Sequence, residues 1–150
     1  MDEGPQAISV AQLQRDYSPE VLLAAAAAIL EKWNASSELA QLKIVWNSRL
    51  RTSGGRALLN KQIVELNPRL LAKNQQYIEV VLIHELAHLL AAARFGRVQA
   101  HGREWQQLMI AAGQAPDVRH SMDASDFYHR RRAAPDSLRF IRRIFKSLIK

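Results

Sequence analysis

His84-Glu85-Leu86-Ala87-His88 places two imidazoles four residues apart, with a carboxylate directly after the first. On a helix, four residues advance about 400° and roughly 6 Å, so His84 and His88 project from one face, one turn apart. That separation lets both rings bind one tetrahedral metal ion, with Zn–N distances of about 2.0–2.1 Å. Glu85 is offset around the helix, too far to complete such a site but able to reach a water beside the ion. The pattern is the H-E-x-x-H arrangement of zinc hydrolases. Three ionisable groups within the apolar run Val80–Leu90 would be costly to bury unless paired or metal-bound.

Catalytic zinc usually takes three protein ligands and leaves a fourth position for water. The chain has no cysteine, which removes disulfides and thiolate sites and restricts metal donors to histidine and carboxylate. His101 follows His88 after twelve residues, enough to finish the helix, turn at Gly96 and return an imidazole to the metal. Gly102, lacking Cβ, is expected to let the backbone approach the site. In the metzincin pattern the third histidine comes much sooner, and Arg94 stands at that position here, which excludes that class. His120 and His129 are expected to face solvent, since neither has metal spacing to a partner. Tyr77, His120, Tyr128 and His129 are candidates for stabilising an oxyanion, and Trp33, Trp46 and Trp105 are expected at the core or its edge.

These groups need a scaffold. Ser9 is expected to cap a short helix reaching Tyr17, and Ser18 with Pro19 to start a second one that runs to about Asn34. From Lys43 the pattern changes. Ile44-Val45-Trp46 reads as a strand, Ser53-Gly54-Gly55 as a turn, Arg56–Leu59 as a returning strand, and Ile63–Leu66 as a third strand ended by Asn67-Pro68. The simplest assembly is a three-stranded sheet of hairpins. Asn74 is expected to cap a long helix Gln75–Phe95, which is apolar nearly all round and therefore buried. Gly96 ends that helix in the left-handed conformation, and another helix runs from Arg103 to about Ala112.

At 150 residues the chain is long enough for one hydrophobic core. Its net charge of +7 points to an anionic partner: nucleic acid, an acidic protein or a membrane surface. Residues 117–150 hold nine Lys/Arg against four Asp, which is five of those seven charges. Within them Leu138, Ile141, Ile144, Phe145, Leu148 and Ile149 fall at helical spacing, with Arg139, Arg142, Arg143 and Lys146 between. This is a basic amphipathic helix, and Arg130-Arg131-Arg132 forms a second basic segment beside it. The acidic N-terminus lacks the basic region of a secretory signal, and the apolar run Val21–Leu30 is too short to span a bilayer. A cytoplasmic location is expected.

The sequence resembles the SprT family of zinc metalloproteases, related to the catalytic domain of the Spartan DNA–protein crosslink protease. The matching stretches are Arg51–Ala57, Ile63–Leu71, His84–His88 and Phe95–Trp105. The resemblance implies an α+β, zincin-like domain over residues 1–116, with N-terminal helices, a small sheet and a buried active-site helix, followed by the basic tail 117–150. It implies that His84, His88 and His101 hold one zinc ion and that Glu85 is the catalytic acid/base. The implied substrates are proteins bound or crosslinked to single-stranded or structured DNA. Bacterial relatives commonly continue into a cysteine-bearing zinc ribbon, which a cysteine-free chain cannot form. The basic tail stands in that place, with Arg130, Arg131, Arg132, Arg139, Arg142, Arg143 and Lys146 as the expected DNA contacts. Two rivals follow from the same residues. One is a non-catalytic DNA-binding or adaptor protein with a structural zinc; the other places the basic helix on an anionic membrane.

Overall fold

The computed structural model describes residues 6–117. Helix α1 (Val10–Asp16) begins at Ser9, whose hydroxyl accepts the Gln12 N–H. Helix α2 (Pro19–Lys32) begins at Ser18, with Pro19 at its first position, where no intrahelical N–H bond is lost. Its buried residues Leu22, Ala26, Ile29 and Leu30 recur at helical spacing and form one wall of the core.

Three short strands follow: β1 (Lys43–Trp46), β2 (Gly55–Leu58) and β3 (Ile63–Leu66). Their order is β1-β3-β2, with β1 parallel to β3 and β2 antiparallel to it. This corrects the expected sheet of hairpins. Only β2 and β3 form one, joined by a 3-10 turn over Leu59–Lys61. The loop from Asn47 to Gly54 is long enough to carry the chain across the end of β3, so β1 and β2 become opposite edges. Val64 and Leu66 are fully buried, which suits β3 to the centre.

Asn67 holds this crossing in place. Its side chain is fully buried, and its Nδ2 donates to the carbonyls of Leu50 (3.2 Å) and Ser53 (3.1 Å). Its Oδ1 accepts from the backbone N–H groups of Arg69 and Leu70, capping a short helix α3 (Pro68–Ala72) absent from the sequence expectations. Asn-Pro here is a helix start as well as a strand end.

The long helix α4 spans Ile78–Phe95, beginning three residues later than expected because Gln75–Tyr77 is a 3-10 turn. Ten of its residues are buried, among them Val81, Leu82, Ile83, Leu86, Leu89 and Leu90, so it is enclosed on most sides. Gly96 ends it with φ 71° and ψ −136°, a glycine-only region rather than the left-handed helical one expected. Arg94 ties its last turn to the segment after α2: the guanidinium grips both carboxylate oxygens of Glu38 and also donates to Trp33 O. Helix α5 (Arg103–Ala111) is the last described helix, and Trp33 Nε1 donates to Leu108 O to pin it. The whole is the α+β arrangement expected, and no described helix is long and apolar enough to cross a membrane.

Candidate metal centre

Helix α4 supplies His84 and His88, and the loop before α5 supplies His101. The three Nε2 atoms form a near-equilateral triangle, 3.2 Å between His84 and His88 and 3.0 Å from each to His101. Hydrogen bonding alone cannot satisfy this triangle. Each Nε2 carries either one proton or one lone pair, so at least two lone pairs must face one another or two protons must clash. A cation shared by three lone pairs removes the conflict. The separations suit one ion, since tetrahedral donors at about 2.0–2.1 Å lie only slightly further apart. Among the described residues these three histidines form the one cluster able to hold a metal ion.

Protonation is resisted. Burial pulls His88 down to about 4, helped by the nearby His101, and burial also lowers His101. At neutral pH His88 and His101 are therefore held in the neutral, metal-binding form.

The approach of His101 is built by local turns. Gly96 redirects the chain, and His101 itself takes φ 58°, a left-handed conformation that histidine tolerates better than most residues. Gln106 Nε2 donates to the His101 carbonyl (2.9 Å) and holds that turn. Gly102 is needed for a reason other than the one expected. A Cβ there would meet the Gln99 carbonyl at 2.9 Å, so glycine permits the tight turn rather than a close approach to the metal.

Trp105 forms the floor. It is 1% exposed, its ring centroid lies 4.8 Å from His84, 5.7 Å from His88 and 4.7 Å from His101, and its Nε1 donates to His84 O (3.2 Å). Its residue type marks it only as core, and its link to the histidines is signalled by its position four residues after His101, inside a helix.

Glu85 lies on the sheet side of α4. Burial pushes its carboxyl up to about 8, opposed by a hydrogen bond from the Ala57 backbone N–H. Strand geometry explains that donor. The Asn67 N–H bonds Gly54 O, so in this antiparallel ladder residues 54, 56 and 58 face β3 while 55 and 57 face outward. Gly55 makes the room: a Cβ there would sit 3.0 Å from Glu85 Cγ and 3.0 Å from Val81 Cγ1. Neither residue was expected to serve the site beyond forming a turn and a strand.

Of the oxyanion candidates, Tyr77 packs against the core about two helical turns before His84. His120, Tyr128 and His129 lie outside the described residues. So do Arg130, Arg131, Arg132, Arg139, Arg142, Arg143 and Lys146 of the basic tail. Trp33 is buried and Trp46 half-buried, as expected.

A sequence profile of the SprT-like family matches residues 23–125. The chain is 46% identical over 81 residues to Protein SprT of Serratia proteamaculans, covering 53% of this chain and 47% of that protein. Protein SprT of Klebsiella pneumoniae is 54% identical over 59 residues, 39% of this chain and 36% of its own length. Protein SprT of Yersinia enterocolitica is 49% identical over 69 residues, 45% and 41% respectively. Each match spans less than half of the relative's length. No solved structure matches the chain.

Proposed function

The chain belongs to the SprT-like family, and on that premise we propose that it is a zinc-dependent endopeptidase acting in the cytoplasm on DNA-bound or DNA-crosslinked proteins. The observation that carries the chemistry is the triangle of His84, His88 and His101 Nε2 atoms with a buried carboxylate, Glu85, on the adjoining residue. His84, His88 and His101 would hold one zinc ion. When bound, such an ion polarises a carbonyl and lowers the pKa of a water to about 7.

Each remaining part of the work falls to this chain. Glu85 accepts a proton from the attacking water and returns it to the leaving amine. Burial raises the Glu85 carboxyl in the metal-free fold, and a cation held by the adjoining histidines would favour the ionised form that accepts the proton. Gly55 leaves room for the Glu85 stem, and Ala57 N–H fixes its oxygen. An extended peptide can add along the β2 edge beside Glu85, using the outward backbone groups of Gly55 and the carbonyl of Ala57. The basic residues 130–146 supply sequence-independent contacts to phosphates.

Zinc analysis paired with cleavage assays, with and without DNA, tests this reading. Glu85→Gln should keep one zinc per chain and lose proteolysis. His101→Ala should weaken zinc binding as much as His88→Ala does. Near-wild-type cleavage by Glu85→Gln would refute the acid/base role. A wild-type protein that binds zinc and DNA but cleaves nothing would favour a non-catalytic adaptor.

A further inference from the structure

The sheet has two unlike faces. Ile44, Val64, Leu66 and Gly55 turn toward the helices, while Lys43, Val45, Arg56, Leu58, Ile63 and Glu65 share the opposite face by register and alternation. Among the described residues that second face is open. Lys43, Val45 and Arg56 are exposed, and Leu58, Ile63 and Glu65 are half-buried.

Charge on it and on the turns flanking it is one-sided. Between Glu38 and Glu65 the chain carries Lys43, Arg49, Arg51, Arg56 and Lys61 and no carboxylate. All five cations are exposed. Glu65 is already bound by Arg56, with contacts of 2.6 and 2.8 Å, and its side chain is only 13% exposed. Lys43 and Lys61 mark one end of the sheet, where the Lys43 N–H donates to Gln62 O. Arg56 stands between the ends. Arg49 and Arg51 mark the far end, on the crossing loop that Asn67 anchors, with buried Leu50 between them. A four-residue strand rises about 13 Å, the length of about four phosphates along one duplex strand.

These features select the occupant. An apolar helix would have to desolvate Lys43 without offering it a partner. The basic tail, with nine cations against four Asp, would be repelled. A polyanion meets neither obstacle. We propose that the open face of the sheet, with the loop bearing Arg49 and Arg51, is a second contact surface for a nucleic-acid backbone. It lies across the sheet from Glu85, so nucleic acid there leaves the β2 edge free for peptide. The inference rests on the DNA half of the proposed function and is independent of its catalytic half.

The test uses the full chain, a short labelled oligonucleotide (single-stranded and duplex) and a salt series read by fluorescence anisotropy. A quadruple variant, Lys43→Gln, Arg49→Gln, Arg51→Gln and Lys61→Gln, leaves the Arg56–Glu65 pair intact. With thermal stability and zinc content equal to wild type, its affinity should fall at least about tenfold. The slope of log affinity against log salt should flatten by about 3, at 0.7–0.9 per lost phosphate contact. A control, Arg15→Gln with Lys32→Gln, should change either quantity little. Unchanged affinity and slope in the quadruple variant would overturn the proposal, as would an equal loss per charge in the control. Loss of binding to phosphatidylserine vesicles with oligonucleotide binding intact would also overturn it, in favour of a membrane. A wild type that binds no oligonucleotide would overturn the DNA half of the function as well, whereas the Glu85→Gln assay scores catalysis separately.

Discussion

Gly55 and Glu85 are thirty residues apart in sequence, yet a Cβ at Gly55 would lie 3.0 Å from Glu85 Cγ, so a methyl group there fits only if the carboxylate stem gives way. The strand that donates its Ala57 N–H to the carboxylate also begins with the residue that lets the carboxylate in.

Gly55→Ala should therefore act on Glu85 rather than on the histidines. Overpacking of this kind costs about 1–3 kcal/mol. The added methyl would press on Glu85 Cγ, Val81 Cγ1 and the Glu65 carbonyl. Proteolysis should drop at least about tenfold and the melting temperature by several degrees, while zinc stoichiometry stays at one. Loss of zinc with activity per bound zinc unchanged would contradict this division of labour.

Glu85 should also set the basic limb of stability in the metal-free protein. Its pKa lies near 4.5 in the unfolded chain and about 8 in the fold, so the fold favours the protonated form. That stabilisation is complete below about pH 4.5 and is lost as pH rises through about 8. His88 works in the opposite sense. With its pKa depressed from 6.5 to about 4, its contribution is present above 6.5 and lost as pH falls through 4. Chelator-treated Glu85→Gln should accordingly match wild type near pH 5 and exceed it by a few kcal/mol above pH 8. Denaturant melts at both pH values measure this, and equal stabilities at pH 8 would refute it.

Trp105 should control the metal without touching it. Its indole packs on all three imidazoles and its N–H fixes the His84 carbonyl. Trp105→Phe keeps an aromatic floor but removes the donor and part of the surface. Partners that orient ligands typically cost about ten- to a hundredfold in metal affinity when lost. Competition with a chromogenic chelator should show a loss of that size, with helix content by circular dichroism unchanged. Wild-type affinity would leave Trp105 as core packing alone.

What could be read from the linear chain depended on how local each cause was. His84, Glu85 and His88 lie within one helical turn, and Gly96 with Gly102 announces the return that brings His101 back, so the grouping of donors was legible. Strand existence was legible too, from β-branched and aromatic residues in β1 and β3 and from the Ser53-Gly54-Gly55 turn before β2. Strand order was not, because Ile44-Val45-Trp46 and Ile63-Val64-Glu65-Leu66 carry no mark of which partner they choose. The decision rests with Asn67, whose amide reaches Leu50 and Ser53 across the end of β3. Contacts such as Gly55 with Glu85 or Trp105 with His84 join residues on different elements, and no periodicity encodes them. Gly102 shows the converse: its type was noticed, but the neighbour that demands it is Gln99 rather than the metal.

Asn67 offers a way to separate the crossing loop from the helix it caps. All four of its hydrogen bonds are made from a fully buried side chain: two accepted from Arg69 and Leu70, two donated to Leu50 and Ser53. Asn67→Ala removes every one and strands buried backbone groups on both sides, so a loss of about 3 kcal/mol is expected. Asn67→Asp is more selective. Its oxygens can still accept from Arg69 and Leu70 and keep the α3 cap, but they turn acceptor lone pairs toward the Leu50 and Ser53 carbonyls. The loop from Asn47 to Gly54 should then detach while α3 persists. Trypsin reports this directly, because Arg49 and Arg51 lie on that loop and a bound loop resists entry into a protease site. Cleavage after Arg49 and Arg51 should accelerate in Asn67→Asp relative to wild type under conditions where both remain folded. Proteolytic activity should fall with it, since Gly54 leads straight into Gly55 and the strand that holds Glu85. Unchanged trypsin kinetics in Asn67→Asp would mean that the loop is held by Leu50 and the ladder alone.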